Sequence, residues 1–362
     1  MQVTFQFRLY PTPKQEQQMN RTLVLCRKLY NWAKEQRDFT YKQEGKTITY
    51  AMQQNELPAI KKESPHYKEV HSQVLQDCLR RLDDAYQRYF RGEAGFPHYK
   101  STDRYVSFTY PQPGAVTKTF ANNGFVYLPK IGFVRMKAHR PFDRSNVTQL
   151  NVKRYTDGWM INISVRTQSA ETGLAVESAV GIDVGLSTFA TLSDETKLDN
   201  PRFLRKTEKQ LKRVQRRLSR KLLGSNNRKK AKQKVGKIHQ KVARQRKDFL
   251  HKQSHRIVQG HDLIAVEQLK VKNMLRNRRL SKSISDAGWR KFIIYLTYKA
   301  ERQGKRFVQV PAHGTSQTCI CGANVPKTLA VRIHECDRCG LIQDRDIVSA
   351  KIILHRALEV SA

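Results

Sequence analysis

At 362 residues the chain is long enough for two or three domains, and a hydrophobic content of 39% with 15 Phe and 14 Tyr excludes general disorder. Its 68 Lys and Arg against 31 Asp and Glu leave a formal charge of +37, far beyond what solubility needs, so a polyanion is the expected partner. Nucleic acid fits, because neutralised phosphates release condensed counterions. A membrane does not fit: there is no apolar run of about 18 residues, no basic helix rich in exposed Trp or Phe, and no signal peptide after Met1.

Residues 3–9 alternate as a strand. A helix should follow, with Thr12 as N-cap, Pro13 in the first turn and Gln15 as capping-box partner. Leu23, Arg27, Tyr30, Lys34 and Arg37 recur in it at helical spacing. A second helix, over 70–90, puts Val74, Leu75, Cys78, Leu79, Leu82, Ala85, Tyr86 and Tyr89 on its apolar side, with Gln73, Gln76, Arg80, Arg81 and Arg88 opposite. Cys26 and Cys78 stand alone in these helices and read as small buried residues of a reduced, intracellular chain. From 105 to 166 the period becomes two, with turns at Asn122-Asn123-Gly124 and Asp157-Gly158. The expected organisation is a β domain of residues 1–10 and 103–170, interrupted by a helical insertion over 11–102.

Ser178-Ala179-Val180-Gly181-Ile182-Asp183-Val184-Gly185 places an acid inside an apolar strand, with a second strand over 188–192. Burying that charge unpaired costs several kcal/mol, so it must be held by cations or by hydrogen bonds. The flanking glycines would let a ligand approach the backbone; the alternative is a buried Asp satisfied by neighbouring amides. Residues 201–258 carry 22 Lys and Arg against only Glu208 and Asp248. Apolar residues at Leu204, Leu211, Val214 and Leu218, then Val235, Ile238, Val242 and Phe249, predict a helical hairpin turning at 224–227. Its basic faces, with Arg213, Arg216, Arg217 and Arg220, suit a nucleic-acid backbone, where an ordinary solvated helix would mix both signs.

Glu267 ends another apolar strand, over 262–267, at the carboxyl end where ligand crevices form. Cys319-Ile320-Cys321 and Cys336-Asp337-Arg338-Cys339 approach the two-pair spacing of a zinc ribbon, although the first pair has one intervening residue where two is usual. A four-cysteine Zn²⁺ site, a mixed site using His313 or His334, and no metal are the alternatives. Finally, a helix opening at Asp344-Arg345-Asp346 puts Asp346 in line with Ala350, Ile353 and Ala357, whereas Asp344 is placed to cap it. Asp183, Glu267 and Asp346 together suit Mg²⁺, two ions about 4 Å apart serving phosphodiester hydrolysis in an RNase H-like nuclease.

The ordered set Phe7-Arg8-Leu9-Tyr10-Pro11-Thr12, Gly95-Phe96-Pro97-His98-Tyr99-Lys100, Gly181-Ile182-Asp183-Val184-Gly185, Ala265-Val266-Glu267, Thr315-Ser316-Gln317-Thr318-Cys319 and Cys339-Gly340 with Asp344-Arg345-Asp346 resembles the TnpB family. These are transposon-encoded RNA-guided nucleases related to type V CRISPR effectors. The resemblance implies an α+β multidomain protein: a wedge β-barrel, a helical recognition domain, and a RuvC-like α/β nuclease over 171–310 and 342–362 with a zinc-binding insert at 311–341. It maps the nuclease carboxylates onto Asp183, Glu267 and Asp346. It also implies a guide RNA from the transposon end and double-stranded target DNA beside a short motif, for which Gln73, Gln76 and Arg80 are the candidate readers. The chain departs from the family at Cys319-Cys321, at the less basic Pro97-His98-Tyr99, and in stopping soon after Asp346. A cytoplasmic prokaryotic monomer is expected. The rivals are a nuclease-dead RNA-guided repressor, a DNA transposase, and a non-specific RNA-binding protein.

Overall fold

The computed structural model describes residues 1–112, 120–121, 124–168, 176–328 and 331–361. The chain divides into two compact units, Met1–Gln168 and Ser169–Ala362. Among the described residues no helix is long and apolar enough to cross a membrane.

The first unit starts with strand β1 (Gln2–Tyr10), whose alternation turns Phe5, Phe7 and Leu9 inward. Helix α1 (Pro13–Glu44) opens on the expected capping box, the Thr12 side chain accepting the Gln15 N–H and the Gln15 side chain accepting that of Thr12. Short helices α2 (Tyr50–Asn55) and α3 (Leu57–Glu63) precede α4 (Ser72–Phe90). Strands β2 (Ser107–Tyr110), β3 (Phe120–Ala121), β4 (Phe125–Leu128), β5 (Gly132–Lys137), β6 (Val147–Tyr155) and β7 (Gly158–Arg166) then join β1 in one sheet, ordered β2-β6-β7-β1-β5-β4-β3 with every pairing antiparallel. The expected closed barrel is therefore a curled half-barrel, its end strands β2 and β3 not paired with each other among the described residues. Asp157-Gly158 makes the predicted hairpin, whereas Asn122 and Asn123 lie outside the described residues.

One hydrophobic core runs through sheet and helices, from Phe7 and Ile161 to Leu29, Leu75 and Leu82. Cys26 and Cys78 are buried within it. The expected apolar face of α4 holds up to Tyr86, but Tyr89 is 39% exposed.

In the second unit, β8 (Ala179–Val184), β9 (Thr188–Leu192) and β10 (Lys197–Asp199) are followed by α5 (Phe203–Ser219) and α6 (Asn226–Gly260). Strand β11 (Leu263–Glu267), helices α7 (Val271–Met274), α8 (Ser281–Ala287) and α9 (Trp289–Arg302), and strand β12 (Arg306–Val310) come next. A hairpin of β13 (Ile333–Glu335) and β14 (Ile342–Asp344) leads into α10 (Arg345–Ser361). The five-stranded sheet is ordered β10-β9-β8-β11-β12; β9 runs antiparallel to both neighbours, while β8, β11 and β12 are parallel.

Strand alternation sorts this sheet into two faces. Val180, Ile182, Ile264 and Val266 pack with Leu250 and Ile257 of α6 and Phe292 and Leu296 of α9. Leu263, Ala265 and Val310 pack with Ile353 and Ala357 of α10 on the other. Gly181 belongs to that second face: a Cβ there would fall 2.7 Å from Leu354 N and closer still to Ala350 O. The space beside Gly181, expected to admit a ligand, is occupied by α10. Gly185 serves the β8–β9 turn, where its N–H donates to Phe189 O at 3.2 Å.

Candidate functional site

The parallel register sets Val266 beside Ile182, so the next residues along, Glu267 and Asp183, stand level at the carboxyl ends of adjacent strands. Both fall two residues beyond α10-facing positions, Ala265 and Gly181, and so point to the α10 side. Asp346 lies in the first turn of α10, whose Ala350, Ile353 and Ala357 are fully buried. Asp344 Oδ1 accepts the Asp346 N–H at 2.8 Å, the geometry of an N-cap, while its other oxygen takes Lys197 Nζ at 2.6 Å.

Burial, then the negative charges of Glu267 and Asp346, hold the Asp183 carboxyl well above the usual carboxylate range, opposed by Arg345. Asp183 thus feels both of the other acids, one on the adjacent strand and one on the helix. Burial also raises Glu267, against the pull of the Thr315 hydroxyl, which donates to Oε1, and of the Arg356 charge. Asp346 is paired with Arg345 Nη2 at 3.2 Å and Arg332 Nη1 at 3.5 Å. Thr315, Arg332 and Arg345 were not assigned roles from the sequence. The signals were there in the Thr-Ser-Gln-Thr run before Cys319 and in a cation set between two acids.

Cys319, Cys321, Cys336 and Cys339 bring their sulfurs within 4.8 Å of one another. Among the described residues this is the one group of three or more His, Cys, Asp or Glu ligand atoms drawn so close. The Cys319–Cys339 and Cys321–Cys336 Sγ distances are 3.6 and 3.7 Å. A disulfide needs about 2.05 Å. Four sulfurs at about 2.3 Å from a tetrahedral Zn²⁺ would lie about 3.8 Å apart, so the set fits that ion. The short first pair reaches this geometry because each pair ends in a left-handed glycine, Gly322 at φ 82° and Gly340 at φ 72°, which curls the chain back. Neither His313 nor His334 belongs to the group; His334 Nδ1 meets Lys327 Nζ.

The basic segment forms α5 and α6, with Ser225 capping α6 by accepting the Arg228 N–H at 3.1 Å. Leu211 and Val242 are buried in its seam, while Arg213, Arg216, Arg217 and Arg220 are exposed. Helix α6 then runs on to pack its last turns, Leu250 to Val258, under the sheet. In the first unit, Gln73 Nε2 donates to Gln112 Oε1 at 3.1 Å, Gln76 is half-buried, and the Arg80 guanidinium lies 5.2 Å from the Tyr50 ring centroid.

A family model described as "Probable transposase" matches residues 162–278, and one described as "Cas12f1-like, TNB domain" matches 289–353. A third, "Helix-turn-helix domain", matches 1–46, where the fold is a strand and one 32-residue helix. A Streptomyces pristinaespiralis protein named "Putative RNA-guided DNA endonuclease" is 34% identical across 99% of this chain and 90% of its own. "Putative RNA-guided DNA endonuclease InsQ" of Escherichia coli K12 is 33% identical across 97% of this chain and 91% of its own. The protein of a solved Cas12f1–sgRNA–target DNA complex aligns over 98% of this chain and 99% of its own at 13% identity and a TM-score of 0.38. With a relative of 34% identity along almost its whole length, the chain belongs to the TnpB family.

Proposed function

We propose that this protein is a transposon-encoded, RNA-guided DNA endonuclease that hydrolyses phosphodiesters with Mg²⁺ held by Asp183, Glu267 and Asp346 in an RNase H-like, RuvC-type unit. The observation that carries the reading is the level placement of Asp183 and Glu267 on adjacent parallel strands, on the face where α10 brings in Asp346. The relatives' names, and a charge of +37, support nucleic acid as substrate and guide.

Carboxylate oxygens are the donors a hard divalent ion takes. Two Mg²⁺, when bound, would supply an activated water and stabilise the leaving oxygen. The chain's own residues prepare the place. Thr315 fixes Glu267, Asp344 fixes the turn that carries Asp346, and Arg345 and Arg332 pair with Asp346. Exposed arginines of α5 would follow a nucleic-acid backbone, and Gln73, Gln76 and Arg80 would meet the short motif flanking the target. The protein would act as a monomer in a prokaryotic cytoplasm.

Sequencing the RNA that copurifies with the protein, then challenging the complex with DNA matched to that RNA and flanked by random bases, tests this reading. Mg²⁺-dependent cuts beside a restricted set of flanks are expected. Strand-transfer products formed by RNA-free protein would favour the transposase reading instead.

We also propose that the four cysteines hold a structural Zn²⁺. Stripping it with a strong chelator is expected to make four more thiols reactive to a thiol reagent and to abolish cleavage, because β13, β14 and the entry to α10 lie in and beside the cysteine segment. Thiol reactivity unchanged by the chelator would rule the zinc out.

A further inference from the structure

The segment Gly95-Phe96-Pro97-His98-Tyr99-Lys100 has no part in the sites above, yet the chain holds it firmly. Asn31 Oδ1 accepts the Lys100 N–H at 2.8 Å and Asn31 Nδ2 donates to Lys100 O at 3.1 Å, tying the segment to α1. Phe96 meets Tyr89 edge-on at 5.3 Å and 90°, and Tyr86 at 5.7 Å and 89°. Tyr89 in turn lies 5.5 Å from Phe90. Four of these rings reach solvent: Tyr89 at 39%, Phe90 at 68%, Phe96 at 45% and Tyr99 at 52% exposure.

The support beneath them is charged and buried. Lys34, 3% exposed, sets its Nζ 4.8 Å from the Phe96 centroid and 4.7 Å from that of Tyr99. Asp38 pairs with Lys34 and accepts the Tyr86 hydroxyl at 2.6 Å. A buried ammonium that sits against two rings fixes their orientation through the ring quadrupole. So many exposed rings, packed and anchored from below, mark an interaction surface.

We propose that Tyr89, Phe90, Phe96 and Tyr99 form a stacking platform for unpaired bases of single-stranded RNA. Every base has a π-face, so rigid aromatic side chains bind single strands with little sequence preference. The unit that carries them supplies the complementary charge, 27 Lys and Arg against 14 Asp and Glu over residues 1–168. Arg88 and Arg91 beside the rings are about 60% exposed, both paired with the one carboxylate of Glu93. A platform that is already formed suits an RNA carried at all times better than a DNA strand freed only during cutting. The inference rests on the reading that this protein carries RNA.

The test uses full-length, RNA-free protein and a single-stranded RNA 12-mer containing 2-aminopurine, with a DNA 12-mer of the same sequence alongside. Wild type should bind the RNA and quench its fluorescence. The double variant Phe96→Leu, Tyr99→Leu should bind about tenfold or more weakly and lose the quenching. Phe90→Leu, which leaves the Lys34 support untouched, should weaken binding severalfold while melting like wild type. No RNA binding by wild type would overturn both the platform and the guided reading. Wild-type binding that all variants retain with full quenching would overturn the platform alone. So would a wild-type dimer that the variants dissolve without loss of RNA affinity, or tighter binding of the DNA 12-mer.

Discussion

Asp183→Asn is expected to lower Mg²⁺-dependent DNA cleavage by at least about 10³-fold, some 4 kcal/mol of barrier, while RNA binding stays at the wild-type level. Asp183 stands level with Glu267 and feels the charges of both Glu267 and Asp346. It is therefore the acid most placed to share ions with the other two. Asn keeps the shape but not the charge, so bound Mg²⁺ would lose one of the three carboxylates proposed to hold it. The same change removes the like-charge repulsion that the ion-free site bears. In excess chelator the variant should melt no lower than wild type, the usual relation between a strained functional site and stability. Cleavage assays and melting curves on one preparation check both halves; undiminished cutting by the variant would sink the assignment of Asp183.

The pH dependence has a definite sign. Asp183 and Glu267 both have folded-state pKa values raised above the ordinary carboxylate values of about 4. In the window between the unfolded and folded values the native state holds protons that the unfolded chain has released. The contribution of these groups to ion-free stability is therefore greatest below the unfolded pKa and declines as pH rises through the folded one. Mg²⁺ competes with those protons, so the Mg²⁺ concentration for half-maximal cleavage should fall as pH rises through the same window. In Asp183→Asn the part due to Asp183 disappears from the ion-free stability profile.

What could be read locally from the chain was what depends on near neighbours. The capping box at Thr12 and Gln15, the Asp157-Gly158 hairpin and the choice of Asp344 as cap over Asp346 all follow from spacings of a few residues. The strands that carry Asp183 and Glu267 announced themselves as apolar runs. Contacts made at long range were hidden. Thr315 reaches Glu267 across 48 residues, and Arg332 reaches Asp346 only because the cysteine segment folds back. Tyr89 has the helical spacing of a core residue, but α4 ends at Phe90 and the Tyr89 ring packs on Phe96 beyond the helix end. Whether the first sheet would close into a barrel depended on its two end strands, which no local pattern pairs.

Gly181 was visible as a gap in an apolar strand, but only the packing says what fills it, and this leads to the second large effect. Gly181→Ala is expected to destabilise the second unit, Ser169–Ala362, by roughly 3 kcal/mol, the upper part of the range for overpacking, or about 6–12 °C in Tm for a unit of this size. The added Cβ would meet backbone, Ala350 O and Leu354 N, together with Leu354 Cβ at 3.0 Å, and no rotamer change relieves a clash with a helix backbone. Helix α10 must draw back from β8. Because α10 carries Asp346 in its first turn, a retreat of about 1 Å separates that acid from Asp183 and should cost cleavage about 10²-fold even at temperatures where the variant is folded. Gly260→Ala, at the end of α6 with nothing within 4 Å of the new Cβ, should stay within about 0.5 kcal/mol of wild type. A Gly181→Ala protein that melts and cuts like wild type would mean that the seating of α10 on β8 does not position Asp346.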